Sequence, residues 1–340
     1  MQAIPRRTAA AALLASLSFG AHAASFDCKA AKTPTEKAIC ASPKLSALDE
    51  QLAREYERAL HALSPAGAAQ LKDSQRGWLR YATAVCVPRP PTNAGDDAAR
   101  CLADEFERRL GQLMQAGFRV GSDVFGRVDM YAVRRSQDGD GSGYHNGFVT
   151  QHAGYPQIDS PITTATAAWN AQQRQDLPSV DADDDTDNDI DVTLGCVGSR
   201  FISVEKISEQ YGHGTPHGVF DREKSNAILA PTLRSMTEDD VFADSSDWAQ
   251  KLPQLFRNAY VNGRRRSEVL PEAETAVRES AADPGAWLLT PAGLQISFGA
   301  YEAGCYACNP GPITVPWSTL KPMLASPEFA SCKAPPRAKP

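Results

Sequence analysis

The sequence lacks the features that would indicate a membrane protein or a familiar class of enzyme. No stretch approaches the roughly 20 apolar residues that a membrane-spanning helix requires. No GxSxG, HExxH or P-loop pattern occurs, and no serine, histidine and aspartate stand in a recognisable catalytic context. We therefore expect no membrane span, and no motif supports an enzymatic activity.

Positive charge is also scarce. The chain has 35 lysines and arginines against 41 aspartates and glutamates. Without residues 1–23, which contain Arg6 and Arg7, 33 basic and 41 acidic residues remain, a net charge of −8. This balance argues against binding to nucleic acid and favours a cationic partner.

Residues 1–23 have the organisation of a secretory signal peptide. Two arginines precede a short apolar run, and Ala21-His22-Ala23 is a small-x-small cleavage site. We predict cleavage after Ala23 and a periplasmic or secreted protein.

The last residues, 333–340, are predicted to be a disordered tail.

Eight cysteines, an even number, follow the predicted signal peptide in two groups of four. In an oxidising compartment such a set indicates structural disulfides, and only Cys305 and Cys308 have a spacing that suits zinc or redox chemistry. Each group is expected to form bridges within its own domain. The groups are Cys28, Cys40, Cys86 and Cys101, then Cys196, Cys305, Cys308 and Cys332.

The first domain, residues 24–118, is predicted to be a small helical bundle. Thr33 to Glu36 reads TPTE, a capping box with proline at the first helical position, and Ser42-Pro43 and Ser64-Pro65 are further helix starts. After each start, apolar residues recur every three or four positions. Disulfides would supplement the limited apolar core of so small a bundle, and the local pairs Cys28–Cys40 and Cys86–Cys101 are favoured among three possible connectivities.

These residues resemble the N-terminal domain of the lysozyme-inhibitor LprI family. The resemblance covers about residues 26–115 and includes FDC, TPTEKAIC, the Leu48-Asp49 pair, Tyr56 and LKDSQRGWL. Ala82 stands where family members often carry an arginine, and Cys86 comes one residue late. The resemblance implies inhibition of lysozyme.

The second domain, residues 122–332, is predicted to be α+β with a mostly antiparallel sheet. Alternating segments such as VDMYAVRR, FVTQHAGY, DVTLGCV, FISVEKISEQYG and LQISFGAY predict strands. A helix is predicted over DSSDWAQKLPQLFRNAYV, with Pro253 marking a kink or a start, and another from Ser318. The overall class is a disulfide-stapled helical bundle followed by an α+β domain.

The end of this domain, about residues 190–325, is similar to the RsiV-like domain of anti-sigma factors that sense lysozyme. The similarity rests on FISVEKISEQYGHGTPHG, on TLRSMTEDDVFADSSDWAQKL and on the segment from Leu294 to Leu324. Cys305 and Cys308 replace small residues of that pattern, which indicates a local disulfide. Both resemblances imply lysozyme as a partner.

An aspartate-dense segment, DADDDTDNDID at 181–191, is the first candidate binding site. Its alternating carboxylates suggest a calcium loop, but Thr186 and Val192 stand where such a loop needs glycine and glutamate. The segment is therefore predicted to be an acidic interaction loop or a loose calcium site, with a solvated loop as the alternative. Its candidate residues are Asp181, Asp183, Asp184, Asp185 and Asp187.

A second candidate is the GHGTPHG segment, which places His213 and His217 four residues apart. Glycine and proline prevent a helix that would bring both imidazoles to one side, so a shaped turn is favoured over a metal site. No cofactor is expected.

Two functions remain from the sequence. One is a non-enzymatic binding protein that inhibits lysozyme by occluding its cleft, and the other is an enzyme or accessory module acting on peptidoglycan. No catalytic residue can be named for the second.

Overall fold

The computed structural model describes residues 24–87, 95–136, 147–178, 185–262 and 264–336. Its first part is helical and its second part is rich in strands that are mostly antiparallel, so the predicted fold class is confirmed. Within the described ranges, no helix is both long and apolar enough to cross a membrane. The predicted signal peptide lies outside these ranges.

Four helices form the first part: α1 (Pro34–Ala41), α2 (Pro43–Ala62), α3 (Pro65–Cys86) and α4 (Gly95–Gln115). Each of the first three begins with proline after Thr33, Ser42 or Ser64, whose side chain accepts a hydrogen bond from a backbone N–H of the first turn. These are the starts predicted from the sequence. The apolar stripes of the four helices meet in one buried cluster.

All eight cysteines form disulfides, and each bridge stays within its predicted group. Two bridges staple the helical part, Cys28–Cys40 and Cys86–Cys101, which is the local pairing favoured above. Cys196 is joined to Cys332 across 136 positions, whereas Cys305 and Cys308 close a short loop.

A seven-stranded sheet holds its strands in chain order. Every neighbouring pair is antiparallel except β3 and β4, which are parallel. A parallel pair needs a crossover connection, and helix α5 (Thr164–Gln173) lies in it. The strands are β1 (Phe118–Val120), β2 (Asp123–Arg135), β3 (Phe148–Asp159), β4 (Thr186–Val197), β5 (Phe201–Gly212), β6 (Val219–Ile228) and β7 (Arg234–Ser235).

The C-terminal elements form a second apolar cluster beside the sheet. Helices α7 and α8 pack against a small antiparallel sheet in the order β10-β9-β8, and Cys196 and Phe201 of the large sheet join the same cluster. The elements are α6 (Glu238–Val241), α7 (Trp248–Val261), α8 (Pro271–Ala282), β8 (Leu288–Thr290), β9 (Gly293–Ile296), β10 (Ile313–Pro316) and α9 (Trp317–Leu320).

The helical part packs on the sheet through α3 and α4. Tyr131 and Val133 of β2 and Phe148 of β3 contact the helical cluster. The two parts therefore share apolar contacts, and the domain boundary between residues 118 and 122 stays a prediction.

Three details differ from the sequence-based expectations. The strand predicted over Leu294 to Tyr301 ends at Ile296, and the carbonyl of the next residue, Ser297, accepts a hydrogen bond from Lys224 Nζ at 2.6 Å. Pro253 lies inside α7, so it does not mark the start of the helix, and the predicted kink stays a prediction. The sequence gives no strand signal for β6, since Asp221 to Lys224 are four consecutive charged residues and show no apolar alternation.

Candidate functional site

The aspartate-dense segment is a strand, not a loop, from Thr186 onward. Side chains two residues apart in a strand point to the same face, so Asp187, Asp189 and Asp191 form one acidic row along β4. Cationic side chains face this row: Arg108 and His152 lie against Asp189, and Arg127 lies against Asp191. The loop prediction is thus wrong for the second half of 181–191, and Asp181, Asp183 and Asp184 lie outside the described residues.

Two of the predicted binding carboxylates are engaged within the protein. Asp185 lies 3.0 Å from Arg134 Nη2 and accepts a hydrogen bond from Ser136. Asp187 is fully buried, and its Oδ1 accepts hydrogen bonds from the backbone N–H and the hydroxyl of Thr150 at 2.6 and 3.0 Å. The carboxylate of Asp187 is therefore engaged within the protein, and a role of Asp187 in binding a partner stays a prediction.

The two candidate histidines are held in different places. His213 Nε2 lies 3.2 Å from Asp187 Oδ2, in an interaction between almost fully buried side chains. His217 is exposed, and its ring stacks on Tyr306 with 4.2 Å between the ring centroids. The structure thus brings His213 to the acidic row and leaves His217 on a separate surface.

Asp129 on β2 is the centre of a buried network that joins α4 to the sheet. Its Oδ2 accepts a hydrogen bond from Arg109 at 2.8 Å, and its Oδ1 accepts one from Arg127 at 2.8 Å. All three side chains are at most 1% exposed. Burial by itself would raise the pKa of the Asp129 carboxyl, but Arg127 and the hydrogen bond with His152 hold it well below its ordinary value. The ion pairs therefore fix how α4 sits on β2.

His152 on β3 connects this network to the acidic row. Its Nδ1 lies 2.7 Å from Asp189 Oδ1, and its Nε2 lies 3.3 Å from Asp129 Oδ1. Burial lowers the pKa of His152, but the hydrogen bonds with Asp129 and Asp189 outweigh burial and raise it to about 9. The ring is thus an imidazolium at neutral pH that donates from both nitrogens, which suits an ion-pair network better than a general base.

A cleft of about 340 Å³ opens beside His152, between α4 and the sheet. The Arg108 guanidinium of α4 reaches across to Asp189, with 3.1 Å between Nη1 and Oδ2. Most of the groups around the cleft are charged or carry amides. The lining residues are Arg108, Gly111, Gln112, Gln115, His152, Asp189, Asp191, Ile207 and Glu209.

Glu209 gives the cleft its acidic side. It stands directly opposite Asp189 in the register of β4 and β5, and like charges in such a pair repel each other. Burial raises the pKa of the Glu209 carboxyl, and the charge of Asp189 raises it further. The cleft thus combines the carboxyl groups of Asp189, Asp191 and Glu209 with the cations Arg108 and His152.

The calcium prediction concerns the first half of the acidic segment most directly. Among the described residues, no group of three or more histidine, cysteine, aspartate or glutamate side chains is placed to hold a metal ion. Asp185 already faces Arg134, whereas Asp181, Asp183 and Asp184 lie outside the described ranges. A loose calcium site at 181–191 stays a prediction.

Sequence reasoning missed the cationic half of this site. Alternating aspartates continue through Asp189 and Asp191, and that period of two was available as a strand signal. No comparable signal marks Arg109, Arg127 or His152, because they come from α4, β2 and β3 and meet only in the folded chain.

Curated proteins, solved structures and family models show what this chain is similar to. No curated protein matches the chain. Among solved structures, the chain is similar to a DUF3298-family protein from Bacteroides fragilis, with 16% identity and a TM-score of 0.42 over 63% of this chain and 100% of that one. A DUF3298-family protein from Pseudomonas aeruginosa has 14% identity and a TM-score of 0.41, with 64% and 99% covered.

The resemblance of residues 190–325 to the RsiV-like domain stays a prediction. The helical part matches a family model. Residues 28–113, which include α1, α2, α3 and most of α4, match the family model of the lysozyme inhibitor LprI.

Proposed function

We propose that this chain is an exported, non-enzymatic protein that binds lysozyme and inhibits it by occluding its substrate cleft. The observation that carries the proposal is the match of residues 28–113 to the lysozyme inhibitor LprI. Four disulfides support export, because such bridges persist in oxidising compartments. A periplasmic or secreted location after removal of residues 1–23 belongs to the same proposal.

The distribution of charge supports a basic partner. Residues 28–113 contain 13 basic and 11 acidic residues, whereas the rest of the predicted mature chain contains 20 basic and 30 acidic residues. The acidic excess thus lies outside the family-matched segment, and Asp189, Asp191 and Glu209 of the cleft contribute to it. C-type lysozymes are strongly basic, so opposite charge would steer the two proteins together.

Occlusion requires no chemistry from the inhibitor. Lysozyme cleaves the glycan with two carboxyl groups that lie in different environments and must have access to the substrate. Filling the cleft blocks that access and is therefore sufficient to stop turnover. The lasting affinity must then come from buried contacts, while charge mainly sets the association rate.

A turbidity assay on bacterial cells tests the proposal. Titration of the purified protein should abolish the activity of added C-type lysozyme at a fixed stoichiometry, and calorimetry should show binding at low salt. Peptidoglycan turnover by the protein alone would instead favour a cell-wall enzyme. Unchanged lysozyme activity together with no heat of binding would refute the proposal.

Association kinetics test the electrostatic part. The on-rate should fall as salt rises, because exposed charges are screened. Replacing Asp181, Asp183 and Asp184 by asparagine should slow association more than it speeds dissociation. This set leaves out Asp185 and Asp187, whose carboxylates contact Arg134, Thr150 and His213 and whose loss would disturb the fold.

A further inference from the structure

The disulfide between Cys305 and Cys308 has the spacing of redox-active cysteine pairs, and the proposed function gives it no role. The pair lies in the loop between β9 and β10, in the order Cys305-Tyr306-Ala307-Cys308. The backbone N–H of Cys308 donates a hydrogen bond to the carbonyl of Cys305 at 2.8 Å. One short turn therefore carries both sulfur atoms.

This bridge has the least to contribute to the stability of the fold. In the chain-entropy account, a disulfide stabilises a protein by restricting the unfolded chain, and the effect grows with the length of the loop that it closes. Cys305 and Cys308 are 3 positions apart, whereas the other pairs are 12, 15 and 136 positions apart. By the same thermodynamic cycle, folding protects Cys305–Cys308 least against reduction.

The two cysteines of this bridge differ in their exposure. Cys305 is exposed and Cys308 is half-buried, whereas Cys196 and Cys332 are 0% and 7% exposed. Thiol–disulfide exchange requires a thiolate to reach one of the two sulfur atoms, so access decides which bridge reacts and at which end. Cys305 is the accessible end of its pair. Cys28 is exposed as well, so its bridge is the internal comparison for this chemistry.

Contacts that do not involve sulfur hold the loop on both sides of the pair. Before the pair, Ala303 is buried in the C-terminal apolar cluster. After it, the side-chain amide of Asn309 donates hydrogen bonds to the carbonyls of Phe298 and Gly299 at 3.0 and 3.1 Å. These contacts do not depend on the S–S bond, so the loop would keep its position when that bond is broken.

Tyr306, between the two cysteines, is held by a distant segment of the chain. Its ring stacks on His217 with 4.2 Å between centroids and meets Phe220 edge to face at 6.1 Å. His217 lies in the turn before β6, and Phe220 belongs to β6 itself. The turn is thus attached to the large sheet as well as to its own loop, and both sulfur atoms would stay close together in the reduced state.

We propose that Cys305–Cys308 is a redox-active disulfide that accepts two electrons from a dithiol while the rest of the fold stays unchanged. A thiolate of the dithiol attacks Cys305 Sγ, the S–S bond breaks, and Cys308 leaves as a thiolate that takes up a proton. The second thiol of the donor loses its proton and attacks the donor sulfur of the mixed disulfide. Cys305 is then released as a thiolate and takes up a proton.

The exchange is balanced and reversible. The donor loses two protons and two electrons and becomes a disulfide, while Cys305 and Cys308 become a dithiol. The reverse exchange with a disulfide regenerates the bridge. This activity goes beyond the proposed function and does not depend on binding to lysozyme.

Stepwise reduction of the full mature protein tests the proposal. The oxidised protein is equilibrated with increasing concentrations of dithiothreitol, free thiols are blocked with iodoacetamide, and peptide mass spectrometry assigns each blocked cysteine. Cys305 and Cys308 should be reduced at dithiothreitol concentrations at least tenfold lower than Cys28 and Cys40. The urea unfolding curve should not change on this first reduction, and oxidised dithiothreitol should restore the bridge.

Two single variants test which sulfur reacts. Cys308→Ser leaves Cys305 as a free thiol at the exposed position, and Cys305→Ser leaves Cys308 as a free thiol at the half-buried position. The Cys308→Ser protein should form a mixed disulfide with glutathione disulfide at least tenfold faster than the Cys305→Ser protein. Both variants lose the same bridge, so the loss of the bridge does not account for a difference between them.

The opposite results are distinct from these. If Cys305–Cys308 is reduced only together with the other bridges, or if its reduction lowers the urea midpoint, the pair is a structural staple and the proposal is overturned. Equal rates of mixed-disulfide formation in the two single variants would overturn the exchange at Cys305. None of these outcomes alters the test of lysozyme inhibition.

Discussion

The buried imidazolium of His152 should make the stability of this protein fall at alkaline pH. The pKa of His152 rises from 6.5 to about 9 on folding because Asp129 and Asp189 hold its two nitrogens. A raised pKa means that the folded state binds the proton more tightly than the unfolded state. The stabilisation is therefore fully present below about pH 6.5 and is lost as pH rises through about 9.

The magnitude follows from the size of the pKa difference. One pKa unit corresponds to about 1.4 kcal/mol, so a shift from 6.5 to about 9 contributes about 3 kcal/mol. The side chain is only 5% exposed, so solvent screens it little. Against a typical total of about 5–15 kcal/mol, this loss is large enough to measure.

Urea unfolding followed by tryptophan fluorescence between pH 6 and 10 provides the measurement. The wild type should lose about 3 kcal/mol more than His152→Gln over this interval, since glutamine does not titrate. His61→Gln is the matched control, because His61 is 85% exposed and lies on α2, outside the network. Parallel stability curves for the wild type and His152→Gln would refute the reasoning.

Three further predictions concern the buried charges, the long disulfide and modularity. Asp129→Asn leaves buried cations without their counter-charge and should cost about 3–5 kcal/mol in urea unfolding, whereas Asp240→Asn, in a more exposed pair, should cost less than about 1 kcal/mol. Equal costs would contradict the role of the network. Replacing Cys196 and Cys332 by serine should lower stability by about 2–5 kcal/mol, because their bridge spans 136 positions, and an unchanged melting temperature would argue against this. A fragment of residues 24–118 with both disulfides should melt cooperatively by circular dichroism; a non-cooperative melt would mean that the two parts share one core.

Local chemistry explains the parts of the fold that the sequence determined. Thr33, Ser42 and Ser64 cap their helices through hydrogen bonds within three residues, so no distant contact is needed to place these starts. The grouping of the cysteines followed from their even number and spacing, and the short separations of Cys28–Cys40 and Cys86–Cys101 favoured those pairs.

The candidate site is a different case, because its residues come from separate elements. The sequence indicated an acidic segment at 181–191, but only the tertiary structure decided that Asp187 is buried against Thr150 while Asp189 faces a cleft. An aspartate carries the same local signal in both situations. What separates the two roles is which side chain of β3 lies beside each aspartate, Thr150 beside Asp187 and His152 beside Asp189, and that depends on sheet order and register.

The same reason accounts for the buried network. Arg109 and Asp129 lie on a helix and on the strand beneath it. Helix starts, helix stripes and the α+β class were fixed by interactions over a few residues and by periodicity. Burial, charge pairing and ring exposure were decided by long-range packing, since each depends on the partners that folding brings to a side chain.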